Sequence, residues 1–408
     1  MEIPVNAERL WQRHLEMARI GAIAGGGVNR ASLSPADRAS RALMVRWAEA
    51  RGFGVFVDPI ANLFVRRSGR EQSPAVLTGS HMDTQPLGGR FDGMFGVLAG
   101  LEALEALEDA GIETLLPVEV VVWTNEEGCR FNPGCMGSMC FTGQHVPADF
   151  HDVEDSDGVT FGAALNEALA ALPQARRRSF GPPPTAYVEA HIEQGPILEN
   201  LGKTIGVVSG IQGVCWYEIM VHGQSAHAGT TPRSARQDAL CEAVAMIAAL
   251  QAEFHDPTDT VRFTVGKVVV TPNSPNCVAE RVLFTVDLRH PETAILRRLC
   301  DQVEAICRGH ARHCRLEIRE TLTVNACTFD PRIMTLISQQ AAALRLPMTV
   351  LPSGAFHDAL FLQRIAPTGM VFVPCAGGIS HHPSESASPA DLAAGCRVLA
   401  GTLLALAS

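Results

Sequence analysis

Ala75-Val76-Leu77-Thr78-Gly79-Ser80-His81-Met82-Asp83 starts as a short apolar run and ends in a histidine and an acid. The run reads as a strand closed by Gly79-Ser80-His81, which puts His81 at the strand's C-terminal end. The arrangement recurs. Val118 to Thr124 reads as a strand followed at once by Glu126-Glu127, and Val188 to Ile192 as a strand carrying His191. Phe95 to Ala110, between the first two, has helical spacing. Ligand-type side chains at strand ends are how open α/β sheets build their sites.

Outward from this segment the pattern holds, then changes. Ser34 to Gly52 reads as a helix with Ser34-Pro35 as cap and first turn, and Val55 to Val57 and Leu63 to Val65 read as strands around Asp58-Pro59. After residue 212 the order is strand Val214 to Val221, helix Arg236 to Glu253, and strands Val261 to Val270 and Val282 to Leu288. Helix Thr293 to Arg308 and strand Leu316 to Val324 complete it. That β-α-β-β-α-β order makes a two-layer α+β unit. Helices Asp330 to Leu344, Ala355 to Arg364 and Pro389 to Leu406, with the buried strand Met370 to Val373, return to the α/β pattern. The expected organisation is a discontinuous α/β catalytic domain, 1–212 and 330–408, with 213–329 inserted into it.

Composition narrows the function. A chain of 408 residues is long for one core. Its 43 acids against 33 bases leave a formal charge of -10, so a nucleic-acid partner is not expected. Arg176-Arg177-Arg178 reads as a solvated loop. The 12 cysteines form no CxxC pair, so buried thiols in a reducing, cytoplasmic setting are expected. The N-terminus shows no signal segment and the apolar runs are too short for a membrane span.

His81, Asp92, Glu126, Glu127, His191 and His381 supply enough imidazole and carboxylate ligands for two divalent cations, with one carboxylate left over for proton transfer. His81 and Asp83 alternate along extended backbone, so Asp83 is placed to accept the second imidazole hydrogen bond. Asp92, between Phe91 and Gly93, offers two oxygens that can bridge two cations. Adjacent acids after an apolar strand, as in Glu126-Glu127, are costly unless exposed or compensated. Imidazole and carboxylate suit zinc, manganese, cobalt and nickel.

These motifs carry a resemblance. Gly79 to Pro86 with Gly88-Gly89-Arg90-Phe91-Asp92-Gly93 resembles the first metal motif of the M20 amidohydrolases, in the hydantoinase/carbamoylase branch. Trp123 to Gly128, His191 to Pro196, Ala226 to Pro232, Asp287 to His290 and Ser380 to Glu385 resemble its later motifs in order. The resemblance implies a metallopeptidase-like catalytic domain with an inserted lid and dimerisation domain. It implies one metal held by His81, Asp92 and His191, and another by Asp92, Glu127 and His381, with His382 on a variable position. Glu126 would be the general base. His227 would be an oxyanion donor delivered to the neighbouring subunit of a homodimer. Arg289 and Asn276 would hold the substrate carboxylate, Gln194 would lie near the ureido group, and His357 would help position substrate. Where the branch commonly has glycine, this chain has Phe356. With Gln85-Pro86, that favours an N-carbamoyl-L-α- or β-amino acid over allantoate. A zinc aminopeptidase, or a metal-binding protein without catalysis, is a more distant reading.

Overall fold

The computed structural model describes residues 3–408. Its contacts divide the chain into two compact units, residues 1–209 with 328–408, and residues 210–327.

In the first unit, Val118–Trp123, Val76–His81, Ala186–Ile192 and Thr368–Val373 lie side by side and parallel. Every residue of the four strands is buried, which is the condition of a parallel sheet covered on both faces and explains their continuous apolar character. Leu63–Arg67 and Ile205–Ile211 flank them antiparallel. His81 stands opposite Trp123, and His191 opposite Phe372. The four strands therefore deliver His81, Glu126-Glu127, His191 and the segment leading to His381 to the same edge of the sheet.

The helices Met94–Asp109 and Pro389–Ala407 pack on each other and on these strands. Pro389–Ala407 is long and apolar enough to cross a membrane, but most of it is buried in this core. Ser34, Asp330 and Ser388 cap their helices by accepting main-chain N–H bonds, each with proline in the first turn.

The second unit has its own core around Ile219, Val221, Met246, Phe284, Leu296 and Val303. Gly213–His222 runs between Arg281–His290 and Arg315–Val324, with the helices Ala239–Glu253 and Thr293–His310 packed on this sheet. Burial alternates strictly along Arg281–His290, the mark of a sheet covered on one face.

Three expected elements differ. The strand expected over 261–270 is two short strands, Arg262–Thr264 and Val268–Thr271, both on Arg281–His290. Between Thr264 opposite Asp287 and Val268 opposite Phe284 the first chain carries one residue more than its partner, so a bulge breaks the run. The helix expected over 355–364 is a single turn, Ala359–Leu362. The Ser353 hydroxyl accepts the Ala355 N–H and bonds His357 Nε2, a local alternative to helix. Arg176–Arg177 is an exposed strand on Gly54–Val57, and Arg178, in the loop just beyond it, is half-buried rather than solvated: it bonds Glu119 at 3.0 and 3.1 Å and lies 3.6 Å over the Phe64 ring.

Candidate metal centre

Asp92 sits where the strand ends converge, immediately before the helix Met94–Asp109. Its Oδ1 lies 3.2 Å from His191 Nε2 and 3.7 Å from His81 Nε2. Its Oδ2 lies 3.1 Å from His381 Nε2, which is 3.6 Å from Glu127 Oε2. Two triads result, His81-Asp92-His191 and Asp92-Glu127-His381, each with its ligand atoms within 4.8 Å of one another. They share Asp92. His382 is outside both; its Nδ1 bonds Ser384.

The donors are turned as metal ligands are. His81 Nδ1 is 2.8 Å from the Asp83 carbonyl, and His191 Nδ1 is 2.9 Å from the Ile192 carbonyl. With Nδ1–H donated to main chain, each neutral ring keeps Nε2 as its acceptor, and that of His191 meets the Gly93 N–H at 3.1 Å. Gly93 makes the approach possible. Its φ is +63°, and a Cβ there would stand 2.4 Å from the His81 ring. The donor set thus fits two divalent cations.

Charge supports the same reading. Like charges about 4 Å apart repel by roughly 4 kcal/mol at an effective dielectric near 20. Burial, then Asp92, pushes Glu127 up to about 8. Burial, then Asp358 and Glu127, raises Glu126 well above the ordinary carboxyl range. Asp92 itself would be raised by burial, but the imidazoles of His191 and His381 hold it well below. Burial opposes charging His191, yet Asp92 outweighs it and raises that ring to about 9, as it does His381. Burial holds His81 down at about 4. Asp92 thus favours protons on His191 and His381. A divalent cation has to displace them. Metal uptake by chelated protein is therefore expected to release protons at pH 7, with affinity rising as pH increases towards about 9. Calorimetry in buffers of different ionisation enthalpy measures this; uptake with no proton release at pH 7 would contradict it.

Glu126 stands beside the first triad, Oε2 3.5 Å from His81 Nε2, with its side chain 9% exposed. Asn125, at φ +58°, makes the sharp turn out of the strand and ties its amide to the Phe131 and Pro133 carbonyls. Asp83 works differently from expectation. Its main-chain carbonyl, not its carboxylate, takes the His81 bond; the carboxylate is 3.9 Å from Nδ1. That carboxylate instead accepts the N–H groups of Glu126 and Glu127 at 3.3 and 3.2 Å. It fixes the acidic turn, and burial pushes it up to about 7.

Gln194, at φ +58°, donates Nε2 to Asp92 Oδ2 at 2.9 Å. Its Oε1 is buried and has no hydrogen-bond partner among the described residues. His357 is buried with its ring 4.5 Å from that of His191. In the second unit, His227 and Asn276 lie together: Cys277 pairs with His227, and the Ala228 N–H donates to the Asn276 carbonyl. His227 Nδ1 accepts the N–H groups of Gly229 and Thr230 at 3.0 and 3.3 Å, so its hydrogen sits on Nε2. Arg289 grips Asp287 with Nε and Nη2 at 2.8 and 2.7 Å. A groove of about 670 Å³ beside Pro331–Ala343 is lined by Met334, Phe329 and Met348, and by none of the residues above.

The sequence pattern of peptidase family M20/M25/M40 matches residues 77–405. The chain belongs to that family. An N-carbamoyl-L-amino-acid amidohydrolase of Rhizobium meliloti is 39% identical over 402 residues, 97% of this chain and 95% of the relative. An allantoate amidohydrolase of Escherichia coli is 34% identical over 399 residues, 96% of each. The crystal structure of an amidase of the hydantoinase/carbamoylase family from Burkholderia multivorans matches with a TM-score of 0.92 at 44% identity, covering 99% of this chain and 98% of that one. This M20 protein belongs to the hydantoinase/carbamoylase branch and is a hydrolase of carbon–nitrogen bonds other than peptide bonds.

Sequence reasoning missed two buried acids of this M20 site. Glu385 closes the last motif and is 1% exposed. Its Oε1 accepts the N–H groups of Phe91 and Asp92 at 2.8 and 3.1 Å. Glu189 accepts Ser80 and Tyr187 hydroxyls at 2.7 and 3.0 Å beneath His191. Its place on the fully buried strand Ala186–Ile192 was the available signal, since a buried acid needs partners.

Proposed function

We propose that this protein hydrolyses the ureido group of an N-carbamoyl-L-α- or β-amino acid. One water is consumed, and ammonia, carbon dioxide and the amino acid are released. The observation that carries the reading is the pair of ligand triads sharing Asp92 with Glu126 beside them. Two divalent ions, zinc, manganese, cobalt or nickel, would be held by His81, Asp92 and His191 and by Asp92, Glu127 and His381. Bound there, they supply polarisation of the ureido carbonyl and a lowered proton affinity of water.

The side chains do the rest. Glu126 takes a proton from the attacking water and passes it to the leaving nitrogen. Gln194 cannot reverse its amide without setting Oε1 against the Asp92 carboxylate, so Oε1 remains the acceptor for a ureido N–H. His227 donates Nε2–H to the developing oxyanion. Arg289 and Asn276 receive the substrate carboxylate, with Arg289 held in plane by Asp287. His357 backs the substrate. His227 acts in the neighbouring subunit's site of a homodimer. Mixing His227→Ala with Glu126→Gln chains is then expected to restore activity, because some heterodimers hold one site free of both lesions. Subunit exchange shown by mass without activity would put His227 in its own chain's site. Free thiols throughout suit a cytoplasmic enzyme.

Allantoate is the second reading, favoured by the relative that bears that name. Phe356 beside His357 argues for a more apolar wall than two ureido arms need. An ammonia-release panel of the metal-loaded enzyme against carbamoyl-α-amino acids, carbamoyl-β-alanine and allantoate decides. The highest kcat/KM is expected for a carbamoyl amino acid; a preference for allantoate would reverse the assignment.

A further inference from the structure

We propose that Glu385 is a positioning residue that locks the Asp92 loop to the last motif, so that both metal positions form and empty as one unit. The inference rests on the two-metal reading above. Glu385 is 1% exposed and lies 293 and 294 residues along the chain from the groups it binds. Oε1 takes the main-chain N–H groups on either side of the Phe91–Asp92 peptide's entry into the site. Oε2 is 3.1 Å from the Ser380 hydroxyl, which is also 3.2 Å from Asp92 Oδ2. Gln194 Nε2 donates to the same hydroxyl at 3.2 Å.

One carboxylate therefore sets the main chain that carries the shared ligand and, through Ser380, the residue next to His381. The Glu385 N–H closes the turn by donating to the His382 carbonyl at 3.0 Å. Across from it, Gly89 leaves the space the carboxylate needs; a Cβ at that position would stand 2.0 Å from Glu385 Cδ. Oε1 holds two adjacent main-chain N–H groups at once, so the carboxyl group cannot be shifted without moving Asp92. A residue that only stabilised the fold would change melting and leave the affinity of the folded protein for metal intact.

The test uses cobalt(II) as the probe, with Glu385→Gln and Gly89→Ala. The first keeps the shape and removes the charge. The second leaves Glu385 in the sequence and displaces it. Metal-free proteins are checked for wild-type circular dichroism, then titrated with cobalt(II) and followed during release to a chelator. Both variants are expected to bind both ions about 10–100-fold more weakly, the usual cost of losing a group that orients metal ligands, and to release them together. Unchanged affinity in folded variants, or loss confined to one ion, overturns the proposal. Should neither variant fold, Ser380→Ala takes the same readout, with a smaller shift of both ions expected and none overturning it. If wild-type protein fails to bind two cobalt ions, or Asp92→Asn leaves both in place, it is the two-metal reading that fails.

Discussion

Glu126→Gln is expected to lower kcat by roughly 100-fold or more while both metals stay bound, because general acid–base catalysis supplies about that much. Glutamine fills the same space beside His81 and removes the proton acceptor. The carboxylate is well suited to the task. Burial and the charges of Asp358 and Glu127 raise its proton affinity, so it takes a proton readily, and cations nearby would draw it back towards the ionised form at neutral pH. Its turn is held rigidly by Asp83, so the substitution should leave the fold intact. Metal content and kcat measured on one preparation separate the roles. Metal lost in step with activity would make Glu126 a ligand. Near-wild-type turnover would remove it from the mechanism.

The second large effect belongs to Asp92. Asp92→Ala is expected to leave a folded protein that retains neither metal after dialysis, with activity falling to the level of chelated wild type. Both triads use this carboxylate, one through each oxygen, so a single truncation takes a ligand from each. It also leaves His81, His191 and His381 without the anion that gathers them. Elemental analysis reads the outcome directly. Retention of one metal at full occupancy would show that Asp92 serves one position only.

Much of this site could be read from the sequence because a strand's end is legible. Gly79-Ser80-His81 and Trp123-Thr124-Asn125-Glu126-Glu127 each show an apolar run stopping at polar, ligand-type residues, and the structure places both at one edge of the sheet. The helix start at Ser34-Pro35 is equally plain. What failed depended on partners distant in sequence. Alternation suggested that the Asp83 carboxylate would reach His81, but backbone geometry hands that bond to the carbonyl and frees the carboxylate for the acidic turn. Glu385 after a turn looks like any surface acid until Gly89, Phe91 and Asp92 are folded against it. Arg178 sits in a basic run that reads as solvated, and only Glu119 and Phe64 reveal its place. The broken strand at 264–268 needed knowledge of its partner's register.

Anomalous scattering from a crystal of the metal-loaded protein tests the shared-carboxylate centre most directly. Two peaks are expected about 3.5–4 Å apart, the spacing of two-metal sites, with Asp92 between them. His81 and His191 should flank one peak, and Glu127 and His381 the other. A single fully occupied peak, or His382 in the place of His381, would contradict it.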